Sequence, residues 1–130
     1  MSQKPVSRPL SPHIQIWKWS MSMALSILHR ASGIALSVGL AMLVWFLVSA
    51  ASGAAAYQCF IGFATSWFGQ LCLFGWTGAI FFHMCSGTRH LIMDTGRMIS
   101  VEAADKAGFV IFVVSISLTL GLWGFLKFFY

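Results

Sequence analysis

Three long apolar runs separated by short polar stretches set the pattern of this chain. The first predicts a helix over about 22–50, the second a helix over about 63–93 and the third a helix over about 108–129. A helix rises about 1.5 Å per residue, so each run can cross about 30 Å of hydrocarbon. Residues 51–58 are small and polar without charge and read as a loop. Residues 95–106 read as a second loop, carrying Arg97, Glu102, Asp105 and Lys106. Residues 1–20 are polar and hold all three prolines, Pro5, Pro9 and Pro12. Trp17, Lys18 and Trp19 close that segment with the aromatic and basic residues that anchor at a membrane interface. The pattern predicts an all-α membrane protein with three transmembrane helices in a single domain over residues 1–130.

Composition removes the water-soluble classes. The 130 residues are 58% hydrophobic and 8% charged, against about 25% charged in soluble domains. The net charge of +5 is spread over the polar segments, so it points to topology and not to nucleic acid. Lys4, Arg8 and Lys18 precede the first span, Arg97 and Lys106 follow the second, and the first loop has no basic residue. Positive charge stays inside, so the N-terminus and second loop are expected on the cytoplasmic (or matrix) side. The proline-broken start has neither the apolar core of a secretory signal nor the character of a transit peptide. Cys59, Cys72 and Cys85 have no metal or CxxC spacing and read as small core residues.

The second run departs from plain hydrophobicity. It carries His83, Arg89, His90 and Asp94, and ionisable groups inside a span mark function by default. At about 100° per residue, His83, His90 and Asp94 share one face, with Gly87 beside them. Gly87 reads as a gap where a flat group could approach the backbone. Arg89 points about 120° away and is expected to snorkel toward water. On the first helix Ser26, Arg30 and Gly33 share a face, with His29 about 60° to its side. Ser26, His29, Arg30, His90 and Asp94 are expected in one inner polar layer, with His83 deeper. His83 and His90 lie about 10 Å apart along the axis and cannot ligate one iron. If His83 binds a haem, the trans ligand must come from another helix. His29 is expected to lie too shallow for that, and the third span has no His, Cys or Met, so a partner chain is implied. Haem propionates could then point toward His29 and Arg30. Plainer readings exist for each group: an interhelical hydrogen bond for His83, boundary charges for Arg30 and Asp94, and a back-bonded hydroxyl for Ser26.

Three blocks carry a resemblance: Arg8-Pro9-Leu10-Ser11-Pro12-His13, Ser26-Ile27-Leu28-His29-Arg30-Ala31-Ser32-Gly33, and His83-x-x-x-Gly87-x-Arg89-His90-Leu91-x-x-Asp94. The chain resembles, along its whole length, the cytochrome b556 membrane-anchor family of succinate dehydrogenase, respiratory complex II. The resemblance implies one half of a heterodimeric anchor bundle that binds haem b and helps to reduce ubiquinone. It also implies an iron–sulfur subunit, a flavoprotein subunit carrying FAD, and a smaller membrane anchor supplying the second haem histidine. By resemblance His83 is the axial haem-iron ligand. His29 and Arg30 lie near the propionates, Ser26, Arg30 and Asp94 belong to the quinone site, and His90 is a further cofactor-binding position. No residue of this chain alone is implied to be catalytic. The opening block resembles the alphaproteobacterial and mitochondrial branch. The bacterial plasma membrane is the expected location, with the mitochondrial inner membrane as the alternative.

Succinate oxidation itself is outside this chain, which has no nucleotide-binding glycine motif and no iron–sulfur cysteine pattern. Competing readings are a quinol:fumarate reductase anchor, a small non-redox membrane protein using the polar layer for ions, and a structural anchor with an empty haem site.

Overall fold

The computed structural model describes residues 18–129, which form four helices and no strands. The N-terminal block with its prolines and basic residues, and the terminal Tyr130, lie outside the described residues. Helix α1 spans Met21–Ala51 and starts at Ser20, whose hydroxyl accepts from the Met23 amide. Such a cap satisfies one of the donors that a helix start leaves without a partner. Helix α2 spans Ala54–Thr65, α3 spans Trp67–Asp94 and α4 spans Val101–Phe129. Three of them, α1, α3 and α4, are long and apolar enough to cross a membrane, and the chain is an all-α membrane protein.

The connections are tighter than the hydropathy pattern predicts. Residues 51–58 are not a loop: Gly53, at φ 105°, turns the chain directly into α2. The second apolar run is not one helix from residue 63. It breaks at Ser66, extended at ψ 156°, whose hydroxyl then caps α3 by accepting from the Gly69 amide. Gly69 is obligatory at this corner, because a β-carbon there would overlap the Phe63 carbonyl. Residues 95–106 are only partly a loop. Gly96 and Met98 take positive φ, and α4 begins at Val101, so Glu102, Asp105 and Lys106 are helical.

Helix α3 packs along both α1 and α4, and α1 meets α4 near their starts. The contacts use small residues. The Trp76 indole lies flat over Gly39, where a β-carbon would collide with it, and a β-carbon on Gly108 would meet Leu25 Cδ1 at 2.6 Å. Ser32, Ser49, Ser115 and Thr119 are buried between helices, each donating its hydroxyl to a carbonyl one turn back. Large apolar side chains point outward instead, as with Ile34 and Leu91, both 69% exposed. This arrangement suits lipid, where apolar burial drives no helix pairing and close backbone approach does. Buried hydroxyls there must be satisfied from within. Cys59 departs from its expected core role and is exposed on α2, while Cys72 and Cys85 are half-buried.

Candidate functional site

The histidines meet where α1 and α3 run antiparallel. Each helix carries His-x-x-x-Gly, as His29 to Gly33 and as His83 to Gly87. The two motifs interlock. A β-carbon on Gly33 would lie 3.4 Å from His83 Cε1, and one on Gly87 would lie 3.9 Å from His29 Cε1. Each glycine faces the imidazole of the opposite helix at ordinary contact distance. The flat group beside Gly87 is the His29 ring. The rings of His29 and His83 stack with centroids 4.0 Å apart and planes 14° apart. His90 tilts against His29 at 5.2 Å and 57°.

These contacts set His29 level with Gly87, between His83 and His90: it meets His90, as one polar layer expects, and it also reaches His83. The reason is the register, which the sequence does not state. The pairs 29/87 and 33/83 fix it, and the same register brings Ser26 level with His90 and Asp94 level with Ser22. Stacked face to face, His29 and His83 leave no space for an iron between them. Two axial imidazoles instead point their nitrogens at the metal from about 2 Å on either side.

Ser32 organises His83. Its hydroxyl donates to the His29 carbonyl at 2.8 Å and lies 3.0 Å from His83 Nδ1. A serine has one proton to give. With that proton on the carbonyl, Oγ can accept from the His83 tautomer that carries its proton on Nδ1 and its lone pair on Nε2, the nitrogen that would meet a metal. A metal-ligating histidine is oriented in this way, by a partner on its other ring nitrogen. His29 Nδ1 is buried and has no hydrogen-bond partner among the described residues, so it can serve a ligand from outside the chain. No group of three or more His, Cys, Asp or Glu side chains is gathered for a metal ion among the described residues.

The other expected site residues are placed as follows. Ser26 is half-buried on α1, and Arg30 and Asp94 are exposed. Among the described residues none of the three makes a hydrogen bond or ion pair, so Ser26 is not back-bonded. Arg89 contradicts its expected snorkelling: it is 7% exposed, tucked between α3 and α4 with Nε lacking a partner. The helical wheel turned it off the histidine face correctly, but only the position of α4 makes that direction buried. Sequence reasoning missed the role of Ser32, and also the contact of the Ser22 hydroxyl with Asp105 at 3.4 Å. The repeated His-x-x-x-Gly spacing was the available signal for the interlock.

Comparison with known proteins adds a relationship to this geometry. The profile of the succinate dehydrogenase/fumarate reductase transmembrane subunit family matches residues 4–122. The chain is 38% identical over 116 residues to the succinate dehydrogenase cytochrome b556 subunit of Rickettsia felis, covering 89% of this chain and 90% of that one. It is 33% identical over 114 residues to the subunit of the same name from Paracoccus denitrificans, covering 88% of each. It is 34% identical over 125 residues to the mitochondrial succinate dehydrogenase cytochrome b560 subunit of Sus scrofa, covering 89% of this chain and 70% of that one.

Proposed function

The chain belongs to the succinate dehydrogenase/fumarate reductase transmembrane subunit family, and from that premise we propose that it holds a haem b through His83 and builds part of a ubiquinone site. It is a membrane-anchor subunit of succinate dehydrogenase, and all three compared relatives carry that enzyme's name, which favours it over a fumarate reductase anchor. The observation that carries the haem assignment is the Ser32 contact to His83 Nδ1, which suits the tautomer that leaves Nε2 free for iron. The orphaned Nδ1 of His29 and the guanidinium of Arg30 suit haem propionates, since charge-assisted bonds to carboxylates are the stronger kind. His90 supports the orientation of the His29 ring. Haem b, when bound, supplies a one-electron relay.

A smaller anchor subunit would supply the other histidine that holds the haem, and the iron–sulfur and flavoprotein subunits would dock on the same face of the membrane as the start of α1. That face is the cytoplasmic one, by the basic residues before α1 and after α3, and the membrane is the bacterial inner membrane. Electrons then arrive from the soluble subunits, and protons from water, at the end of the bundle where Ser26, Arg30 and Asp94 lie. Ubiquinone takes two electrons and two protons. The half-buried Ser26 hydroxyl is free to donate to a quinone carbonyl. Arg30 stabilises the negative charge that develops on the reducing quinone. Asp94, at the exposed end of α3, passes protons inward.

The test is a dithionite-reduced minus oxidised spectrum of the purified complex, wild type beside His83→Leu. A b-type α-band present in the wild type and lost in the assembled variant is expected. A band that survives the substitution overturns the assignment. Ser26→Ala and Arg30→Leu are expected to cut succinate–quinone activity while succinate oxidation with an artificial acceptor persists. Equal loss of both activities would reject their quinone role.

A further inference from the structure

On the other flank of α3 from the histidines, Arg89 has no counter-ion. Its side chain is buried between α3 and α4, and its Nε lacks any hydrogen-bond partner among the described residues. Arginine cannot shed its charge; of its guanidinium nitrogens only Nε is buried without a partner, so the terminal nitrogens reach the surface of the cleft, where an anion can meet them. The chain has only three acidic residues. Asp105 faces Ser22, Glu102 pairs with Lys106 at 2.8 Å, and Asp94 is exposed at the end of α3. None of them forms an ion pair with Arg89 among the described residues. The missing anion must come from elsewhere.

Arg89 and Lys106 line an open cleft of about 460 Å³ between α3 and α4. Its remaining wall is mostly apolar, with Ile92, Val110 and Ile111 prominent. The depth is that of a lipid headgroup. Helix α3 has 28 residues and so is about 42 Å long, which exceeds the hydrocarbon core by about 12 Å. Arg89 sits five residues before its end, about 7.5 Å in, at the boundary between hydrocarbon and headgroups. A cation pair at that level beneath an apolar groove matches one molecule, with a phosphate at one end and an acyl chain at the other.

We propose that the cleft between α3 and α4 binds one anionic glycerophospholipid, with its phosphate on Arg89 and Lys106 and an acyl chain along Cys85, Val110 and Ile111. Arg89 presents a planar fork of donors to the phosphate. Lys106 adds a point charge. Its partner Glu102 does not compete strongly, because the pair is an exposed one, 75% and 80% accessible, and such pairs are weak. Zwitterionic lipid offers the same phosphate with a cationic group beside it and is disfavoured here.

The test uses the whole purified complex in neutral detergent, exchanged into mixed micelles of dioleoylphosphatidylglycerol or dioleoylphosphatidylcholine, washed, and weighed by native mass spectrometry. The wild type is expected to keep one phosphatidylglycerol more than Arg89→Gln, with occupancy falling more than about tenfold in the variant. Lys106→Gln, at an exposed position that does not threaten folding, is expected to lower occupancy about fivefold. Phosphatidylcholine is expected to wash off all three. Should Arg89→Gln fail to assemble, Lys106→Gln and the charge-keeping Arg89→Lys carry the same comparison, with Arg89→Lys retaining more lipid. Equal phosphatidylglycerol retention by wild type and Lys106→Gln overturns the proposal. So does displacement of the lipid by inorganic phosphate alone, which would mark a free-anion site. Loss of a partner subunit from Arg89→Gln without loss of lipid would also overturn it, assigning Arg89 to a partner carboxylate.

Discussion

The two ends of the bundle are joined by different chemistry. At the end where α1 meets α2, aromatic rings interlock. Phe60 stands edge-on to Trp45 at 5.1 Å and tilts against Phe46 at 5.3 Å, and Phe63 tilts against Trp45 at 5.0 Å. About two turns below, the Trp76 indole covers Gly39. At the other end three imidazoles, two serines and an arginine occupy the same kind of interhelical space. The aromatic end gains stability from its contacts, each pair contributing about 0.5–1.5 kcal/mol beyond area burial. Among the described residues the histidine end leaves His29 Nδ1, Ser86 Oγ and Arg89 Nε buried without partners, against Trp76 Nε1 alone at the aromatic end. Orphaned polar atoms are costly, and most of them lie at the end where ligands are proposed. The aromatic end is closed mainly by shape, and the histidine end suits molecules from outside the chain.

Breaking the aromatic end should therefore cost most in stability and least in chemistry. Gly39→Val places a branched side chain where the Trp76 indole now lies. Overpacking of this kind costs about 3 kcal/mol. The expected outcome is a marked fall in the thermal midpoint of subunit dissociation for the solubilised complex. The pigment of the surviving complex keeps its band position. An unmoved midpoint would mean that the indole has another place to go.

Phe60→Leu is a milder version of the same experiment. It removes both ring contacts while keeping an apolar group of similar reach. A loss of about 1–1.5 kcal/mol is expected, read from the same dissociation midpoint. Succinate–quinone activity per assembled complex should stay at the wild-type level. A fall in that activity would show that the two ends are coupled through α1, and the comparison would lose its force.

How much of each end the sequence disclosed follows from the same difference. Hydropathy located all three spanning helices, because an apolar run in lipid needs no tertiary information. It missed the break at Ser66, because residues 60–75 are apolar on both sides of it and the cue is one serine followed by Gly69. It also missed the early start of α4, because Glu102, Asp105 and Lys106 look like loop residues although they lie on a helix that extends past the hydrocarbon. At the histidine end, spacing put His83 and His90 on one face and turned Arg89 off it. What spacing could not supply was the register between helices. Without it the contact of His29 with His83 is not legible, and Arg89 reads as bound for water although α4 covers it. Ser32 was invisible for the same reason: its role exists only because α1 and α3 are offset to bring residue 32 against residue 83.

Ser32→Ala sharpens the comparison furthest, because it should separate stability from function. The substitution deletes one hydroxyl that already donates within its own helix. Interhelical hydrogen bonds in membranes average about 0.6 kcal/mol, so the dissociation midpoint should move less than for either aromatic-end variant. The functional effect should be larger than that energy suggests. Without an acceptor on Nδ1, the His83 ring is free to rotate and to place its proton on either nitrogen, and only one tautomer leaves Nε2 able to ligate. Loss of such an orienting partner weakens metal binding about 10- to 100-fold in other sites. The expected result is a complex that assembles almost as the wild type does but loses its b-type absorption during detergent washing at least about tenfold more readily. A variant that keeps its pigment as tightly as the wild type would remove Ser32 from the site and leave its contact to His83 as packing. A variant that loses stability and pigment in proportion would mean that the histidine end, like the aromatic one, is built for shape first.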